Sequence, residues 1–296
     1  MAPVIDLGVI TPVVTLLPKA HARWERDGTI DDVARIARAA DELGYHHLTC
    51  SEHVAVPVEA ATTRGGRYWD PVATLAYIAA VTDRIRLASS VVVLGYHHPL
   101  AVVKQYATLD RMSGGRVVLG VGVGSLTEEF ELLGAHFADR GDRADDALRA
   151  IRAALPTDRP TWDGPYYRWS DVVVEPTAVQ DHVPIWVGGR SARSLRRAVE
   201  LGDGWAPFGL APEEIGALVA AARTADAWAV RDRPLDLVLQ SKRAFDPSGH
   251  PDATRLEVDA LVEAGATALA LRFVHHSPDH YIEQLAVMAE LVGSIT

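Results

Sequence analysis

RIRLASSVVVLGYHHPLAVVKQYATLDRMSGGRVVLGVGVGS, residues 84–125, reads as strand, loop, helix, turn, strand. Residues 86–92 are rich in β-branched side chains and long enough for a buried strand. His98-Pro99 opens a helix, because proline fits the first helical position, where no N–H partner is needed. Leu100, Val103 and Ala107 share one face of it. Ser113-Gly114-Gly115 stops it, since glycine accepts the left-handed conformation at a helix C-terminus. Residues 117–121 are the second strand. Neither strand alternates apolar with polar, so this βαβ unit belongs to a parallel sheet covered on both faces. The strands run into small-residue loops, Ser89-Ser90-Val91 and Gly122-Val123-Gly124-Ser125. In α/β proteins ligands bind at that end.

Working outward, the alternation repeats. Residues 5–10 form an apolar strand ending at Thr11-Pro12. Thr29 caps a helix, with Asp32 three residues on as its return partner. Ile30, Val33, Ile36, Ala37, Ala40 and Leu43 keep helical spacing, and Gly44 ends the run. Residues 47–51 form a short strand, and Glu52-His53 leaves its C-terminal end. Residues 54–69, with Arg64-Gly65-Gly66-Arg67, form a long loop of a kind that is usually functional or mobile. Asp70-Pro71 starts a helix reaching about residue 83. Helices follow at 128–134 and 142–155. Residues 156–182 break the pattern: five proline or glycine residues surround Trp162, Tyr166, Tyr167 and Trp169. This reads as an inserted excursion with a short hairpin, whose aromatics either line a substrate pocket or pack the excursion onto the body. Strands resume at 183–187, 204–207, 235–241 and 266–273, with helices at 192–201, 212–227, 252–264 and 278–292. Eight strands alternating with helices predict a (β/α)8 TIM barrel with an insertion near residues 156–182, filled inside and functional at the strand C-termini. No repeat, low-complexity tract or linker divides it, so residues 1–296 read as a single domain.

Composition narrows the function classes. The chain has 296 residues, 48% hydrophobic and 23% charged, an ordinary balance for a soluble protein. A net charge of −10 argues against nucleic-acid binding. No apolar run of membrane-spanning length occurs. MAPVIDLGVITP lacks a basic start and a cleavage motif and reads as a first strand, not a secretory signal. The single cysteine, Cys50, allows no internal disulfide and suits a reducing cytoplasm.

Gly120-Val121-Gly122-Val123-Gly124 invites a dinucleotide-binding reading, but the third glycine of that fingerprint would fall at Ser125, and the motif sits well inside the chain. Gly188-Gly189-Arg190-Ser191 is a better anion site. It follows a strand and opens a helix, so free N–H groups and the positive helix end converge there. A plain glycine turn with a capping serine is the competing reading, and the two stay open here. Histidines pair at His46-His47, His97-His98 and His275-His276. No spaced ligand motif supports a metal site, and adjacent residues on a strand face opposite ways. His53, at the end of the second strand, is the candidate functional histidine. A nucleophilic cysteine needs an activating base; Cys50 reads as a small buried thiol.

Several stretches resemble the bacterial-luciferase-like superfamily, in particular its branch of coenzyme F420-dependent oxidoreductases. They are ARAADELGYHHLTCSEHV, YWDPVATLAYIAAVTDRIRLASSVVVLGYHHPLAVVKQYATLDRMSGGRVVLGVGVG, FADRGDRADDALRAIRAAL and VPIWVGGRSARSLRRAVELGDGW. The resemblance implies a (β/α)8 barrel binding a flavin or deazaflavin across the strand C-termini. It places a bulge with a non-proline cis peptide at Ser90-Val91, backing the cofactor ring. Glu52-His53 matches the Asp-His pair beside that ring, with glutamate in place of aspartate. Gly188, Gly189 and Ser191 match the cofactor phosphate loop; Arg190 beside them, and Gly122 and Gly124 at a strand end, are further candidate cofactor-binding residues. Ser125 stands where the superfamily's sugar-phosphate dehydrogenases carry a catalytic glutamate, which argues against that activity.

The expected cofactor is coenzyme F420, with FMN as the alternative, and the expected reaction is hydride transfer between F420 and a small organic substrate. His53 and Glu52 are the expected catalytic residues. An FMN-dependent two-component monooxygenase, served by a separate flavin reductase, is the second reading; a non-catalytic flavin-binding protein is the third. The expected partner is a small-molecule substrate, with a homodimer left open and neither nucleic acid nor membrane involved. Arg64, Arg67, Arg190 and Arg193 lie in or beside loops expected at the mouth, where they could serve the acidic tail of F420.

Overall fold

The computed structural model describes residues 5–293, so Met1–Val4 of the expected first strand lie outside the described residues. Eight strands form the barrel: β1 Asp6–Ile10, β2 His47–Cys50, β3 Arg86–Ser89, β4 Val117–Gly122, β5 Ile185–Gly188, β6 Gly204–Ala206, β7 Asp236–Leu239 and β8 Ala268–Leu271. Each pairs in parallel with the next, and β1 pairs with β8, so the sheet closes without an edge. Eight helices follow them in turn: α1 Ile30–Glu42, α2 Pro71–Val81, α3 Pro99–Met112, α4 Arg140–Ala154, α5 Ala192–Leu201, α6 Pro212–Ala222, α7 Pro251–Glu263 and α8 Pro278–Gly293. This is the (β/α)8 TIM barrel that the alternation predicts.

Local chemistry sets the elements. Thr29 caps α1: the Asp32 N–H donates to Thr29 Oγ1 at 3.4 Å and the Thr29 N–H to Asp32 Oδ2 at 2.9 Å. Asp70 caps α2 by accepting the Ala73 N–H at 2.8 Å. Val33, Ile36, Leu75, Ile78, Val102 and Val103 are buried between helices and barrel. Full burial of such a side chain stabilises by about 1.5–3 kcal/mol. Inside the barrel sit Ala88, Val118, Trp186, Val238 and Ala268, a packed filling and not a pore.

Three expectations change in detail. The 86–92 strand breaks after Ser89 and resumes as Val92–Val93. The 54–69 loop contains a helix, Val58–Arg64, whose sequence VEAATTR holds enough helix formers for two turns although no residue in it is buried. The 212–227 helix stops at Ala222 and restarts as Asp226–Ala229. There the Thr224 hydroxyl donates to the Ala221 carbonyl at 2.8 Å, a local bond that competes with continued helix. The excursion does contain a hairpin, Trp162–Asp163 against Arg168–Trp169. Three of its aromatics act in packing, Trp169 in the core with Trp162 and Tyr167 against it, and the buried Asp146 carboxylate fastens the hairpin by accepting from Trp162 Nε1 and from the Tyr166 and Tyr167 backbone N–H groups, at 2.9–3.0 Å. Among the described residues no helix is long and apolar enough to cross a membrane.

Candidate active site

The centre of the mouth is the break in β3. Leu87 and Ala88 face Val117 and Val118, whereas Val92 and Val93 face Val121 and Gly122, so the register slips by one residue between them. That is a bulge. Ser89 replaces the lost ladder with its side chain: Oγ donates to the Gly120 carbonyl at 2.8 Å and accepts the Gly120 N–H at 2.9 Å. The Ser90-Val91 peptide is cis, as the resemblance implies. Ser90 is exposed at the mouth. Val91 packs over the ends of β4 and β5, where a Cβ on Gly122 or Gly188 would come within 2.6 or 2.7 Å of its methyl groups. Both glycines therefore serve the bulge, by leaving room for Val91.

The loop after β2 runs alongside. Ser51 Oγ donates to the Ser90 carbonyl at 2.8 Å. Glu52 is buried and turns toward the bulge, where Oε2 accepts the Val93 N–H at 2.7 Å and Oε1 meets His97 Nε2 at 2.7 Å. That hydrogen bond, the largest influence, raises the His97 pKa against the opposing effect of burial. Glu52 thus ties the bulge to the loop before α3.

His53 turns the other way. Its Nδ1 lies 2.6 Å from Oε2 of Glu129, on the helix Thr127–Leu132 that follows β4. Glu129 is fully buried yet fully partnered: the Val54 and Ala55 N–H groups donate to Oε1 at 2.6 and 3.1 Å, and the Tyr96 hydroxyl donates to Oε2 at 2.8 Å. Burial pushes its pKa up, but the bonds from His53, Tyr96 and Ala55 outweigh that and hold it below the usual carboxylate value. An ionised carboxylate only accepts, so Nδ1 of His53 carries the proton it donates. Neutral His53 therefore keeps a lone pair on Nε2, and that atom has no partner among the described residues. Tyr68 packs edge-on against the ring, with centroids 4.5 Å apart. The arrangement is a histidine oriented from behind and free in front, the geometry of a general acid or base.

At the end of the next strand, Gly188-Gly189-Arg190-Ser191 joins β5 to α5. Ser191 and Ser194 cap each other: the Ser194 N–H donates to Ser191 Oγ at 3.3 Å and the Ser191 N–H to Ser194 Oγ at 3.2 Å. The next amides, Ala192 and Arg193, have no intrahelical acceptor at a helix start. Gly189 has φ of +126°, and a Cβ there would lie 2.7 Å from that of Ser194. The turn therefore requires glycine and presents bare backbone. Arg190 and Arg193 are exposed, and the Arg190 guanidinium lies 5.8 Å from the half-exposed Phe208 ring.

The four arginines separate. Arg67 is used in structure, donating to the Glu25 and Arg26 carbonyls at 2.9 and 2.7 Å. Arg64 donates to the Ser125 hydroxyl at 3.1 Å, on the His53 side. Gly124 is left-handed, with φ of +77°, and its carbonyl accepts from Arg140 Nε at 3.2 Å. Cys50 is buried, and burial pushes its thiol pKa up to about 12. The rule that neighbouring histidines diverge fails at His46-His47. Their Nδ1 atoms are 3.0 Å apart, because His46 precedes β2 and escapes its alternation. Among the described residues no three His, Cys, Asp or Glu side chains converge as a metal-ligand set.

Sequence reasoning missed Glu129, Tyr96, Tyr68 and His97. Glu128-Glu129 stands out after a glycine-rich strand end, but consecutive helical residues point about 100° apart. Nothing local says that Glu129 is buried and Glu128 exposed.

A model of the luciferase-like monooxygenase family matches residues 11–291, and the chain belongs to that family, among its oxidoreductases and monooxygenases. An uncharacterized protein of Mycobacterium tuberculosis is 31% identical over 250 residues, covering 80% of this chain and 83% of that protein. The F420-dependent glucose-6-phosphate dehydrogenase of Nocardia farcinica is 30% identical over 179 residues, covering 59% of this chain and 52% of that enzyme. The crystal structure of monooxygenase RslO1 from Streptomyces bottropensis matches with a TM-score of 0.77 at 23% identity, covering 98% of this chain and 99% of that one. That likeness speaks to the fold.

Proposed function

We propose that this chain moves a hydride between coenzyme F420 and a small organic substrate, with His53 handling the accompanying proton. The observation that carries the reading is the Glu129–His53 pair at the mouth, with Nε2 of His53 free. A deazaflavin supplies hydride transfer when bound. The residues present fit such a group. The Ser90-Val91 bulge offers an exposed backbone surface for a ring, and the Gly189 turn offers bare amides at the start of a ten-residue helix for a phosphate. Arg190 and Arg193 stand beside that turn with no carboxylate partner among the described residues, which favours the acidic tail of F420 over the shorter FMN. The similarity to the Nocardia enzyme supports the same cofactor class, while Ser125 argues against its sugar-phosphate substrate.

The chain's own residues then do three things. Glu129 holds the proton on Nδ1 and fixes the ring plane. In oxidation the Nε2 lone pair takes the proton of a substrate hydroxyl; in reduction the imidazolium, paired with Glu129, gives that proton back from Nε2 to a substrate oxygen. Tyr68 packs on the imidazole, and Tyr96 holds Glu129 through its hydroxyl. Titrating the purified protein with F420 and FMN at low and moderate salt tests the proposal. Tighter F420 binding, with a preference that shrinks as salt rises, is expected. Tighter FMN binding, with oxygen-dependent turnover of reduced FMN, moves the chain to the monooxygenase reading. Binding without turnover in either system leaves a flavin-binding protein.

A further inference from the structure

Arg64 is a cation at the mouth that the fold holds still and does not neutralise. It ends the helix Val58–Arg64, and that end is fastened to the loop after β1. A Cβ on Gly65 would lie 2.1 Å from the Leu16 carbonyl oxygen, so the chain approaches that loop as closely as glycine allows. The Leu16 N–H donates to the Arg67 carbonyl at 3.2 Å and the Trp69 N–H to the Val14 carbonyl at 2.9 Å. The Tyr68 hydroxyl donates to the Arg64 carbonyl at 2.6 Å. The main chain that carries Arg64 is therefore fixed. Its guanidinium donates to the Ser125 hydroxyl, and among the described residues it has no carboxylate partner.

Both residues belong to segments that reach His53. Tyr68, bonded to the Arg64 carbonyl, packs on the His53 ring. Ser125 lies four residues before Glu129, on the loop leading into the helix that carries it. Because Ser125 accepts from Arg64, its own proton is free to be donated outward, beside the guanidinium N–H groups that Ser125 does not use. This is a fork of donors suited to a two-oxygen anion. One unpaired guanidinium balances the single negative charge of a carboxylate. It does not balance the two of a phosphate monoester.

We propose that Arg64 and Ser125 anchor the carboxylate of a monoanionic organic acid, which holds the reacting carbon–oxygen group of that acid near His53. This rests on the oxidoreductase reading above and names its substrate class. It also separates Arg64, bonded to the loop after β4, from Arg190 and Arg193 at the phosphate turn after β5.

The experiment measures dissociation constants of lactate, pyruvate and benzoate against their neutral amides, at low salt, with and without F420. It uses wild type, Arg64→Gln, Arg64→Lys and Ser125→Ala. At least one acid should bind wild type tenfold or more tightly than its amide. Arg64→Gln should abolish that preference, Arg64→Lys restore part of it, and Ser125→Ala weaken it a few-fold, while all variants keep F420 affinity within about twofold. Equal binding of acids and amides overturns the proposal, as does a preference that survives Arg64→Gln. Loss of F420 affinity in Arg64→Gln overturns it too, because Arg64 would then serve the cofactor tail. An acid preference in a protein that does not bind F420 keeps this proposal and defeats the cofactor assignment, so the two failures are distinguishable.

Discussion

His47, inside the barrel, is enclosed on every side; His53, at its mouth, keeps part of its side chain exposed. His47 has no exposed surface, packs 4.9 Å centroid to centroid against Trp186, and lies so close to Gly8 that a Cβ there would come within 2.0 Å of the ring. Its Nε2 is buried without a partner. Burial first, and then the charges of His46 and Arg86, hold its pKa well below the ordinary value. It stays neutral and fills space. His53 has a carboxylate behind one nitrogen and, among the described residues, no hydrogen-bond partner on the other. The residue type is the same and the barrel is the same. Backing on one nitrogen and access at the other make a histidine able to carry protons; burial alone makes it a core residue.

The largest expected effect breaks the mouth. His53→Ala should slow single-turnover reduction or oxidation of the bound cofactor by about 10²–10⁴-fold. Glu129→Gln should act in the same direction, since Gln can accept from Nδ1 but no longer stabilises the protonated ring. Both variants should retain cofactor affinity. A Glu129→Gln protein with wild-type turnover and an unchanged pH profile would show that the pair is structural, like the histidine inside the barrel.

The second effect breaks the interior. His47→Ala removes a ring enclosed by Gly8 and Trp186 and leaves a cavity. It should cost about 2–4 kcal/mol of stability in denaturant unfolding, with cofactor affinity unchanged. If His47→Ala lost cofactor binding at full stability, the interior would be reporting to the mouth, and the contrast between the two histidines would fail.

This contrast shows where sequence reading stops. The strands were legible because each is a short apolar run closed by small residues, and the Gly188–Ser191 turn because a strand, two glycines and a capping serine occur in that order. His53 could be picked out because it leaves a strand end. The direction of each carboxylate could not. Glu52 is adjacent to His53 in the chain, so the two read as a pair. A chain leaving a strand nevertheless sends neighbouring side chains apart, and Glu52 goes to Val93 and His97 while Glu129, seventy-six residues from His53, takes its place. His46 and His47 show the converse error, since alternation holds only within a strand and His46 lies just outside one. Contacts between separate loops depend on how the barrel closes, and local propensity carries no record of that.

The smallest expected effect sharpens the comparison within the mouth itself. His97 also pairs with a glutamate, but there the pair supports backbone: Glu52 holds His97 with one oxygen and the Val93 N–H of the bulge with the other. The Glu52 hydrogen bond raises the His97 pKa above the ordinary 6.5. Stability from this pair is therefore fully present below about pH 6.5, and it is lost as pH rises through the raised value. His275 does not confuse that window, because burial holds its pKa down to about 4 and its effects fall on the acid side. His97→Gln should thus cost about 1–2 kcal/mol at pH 6, with the difference from wild type shrinking toward pH 9. Urea unfolding of both proteins across that range measures it. A cost that stays constant with pH would mean that the pair acts as a neutral hydrogen bond. A cost that shrinks, accompanied by weaker cofactor binding at high pH in wild type alone, would mean that the charge on His97 steadies the bulge on which the proposed cofactor ring rests.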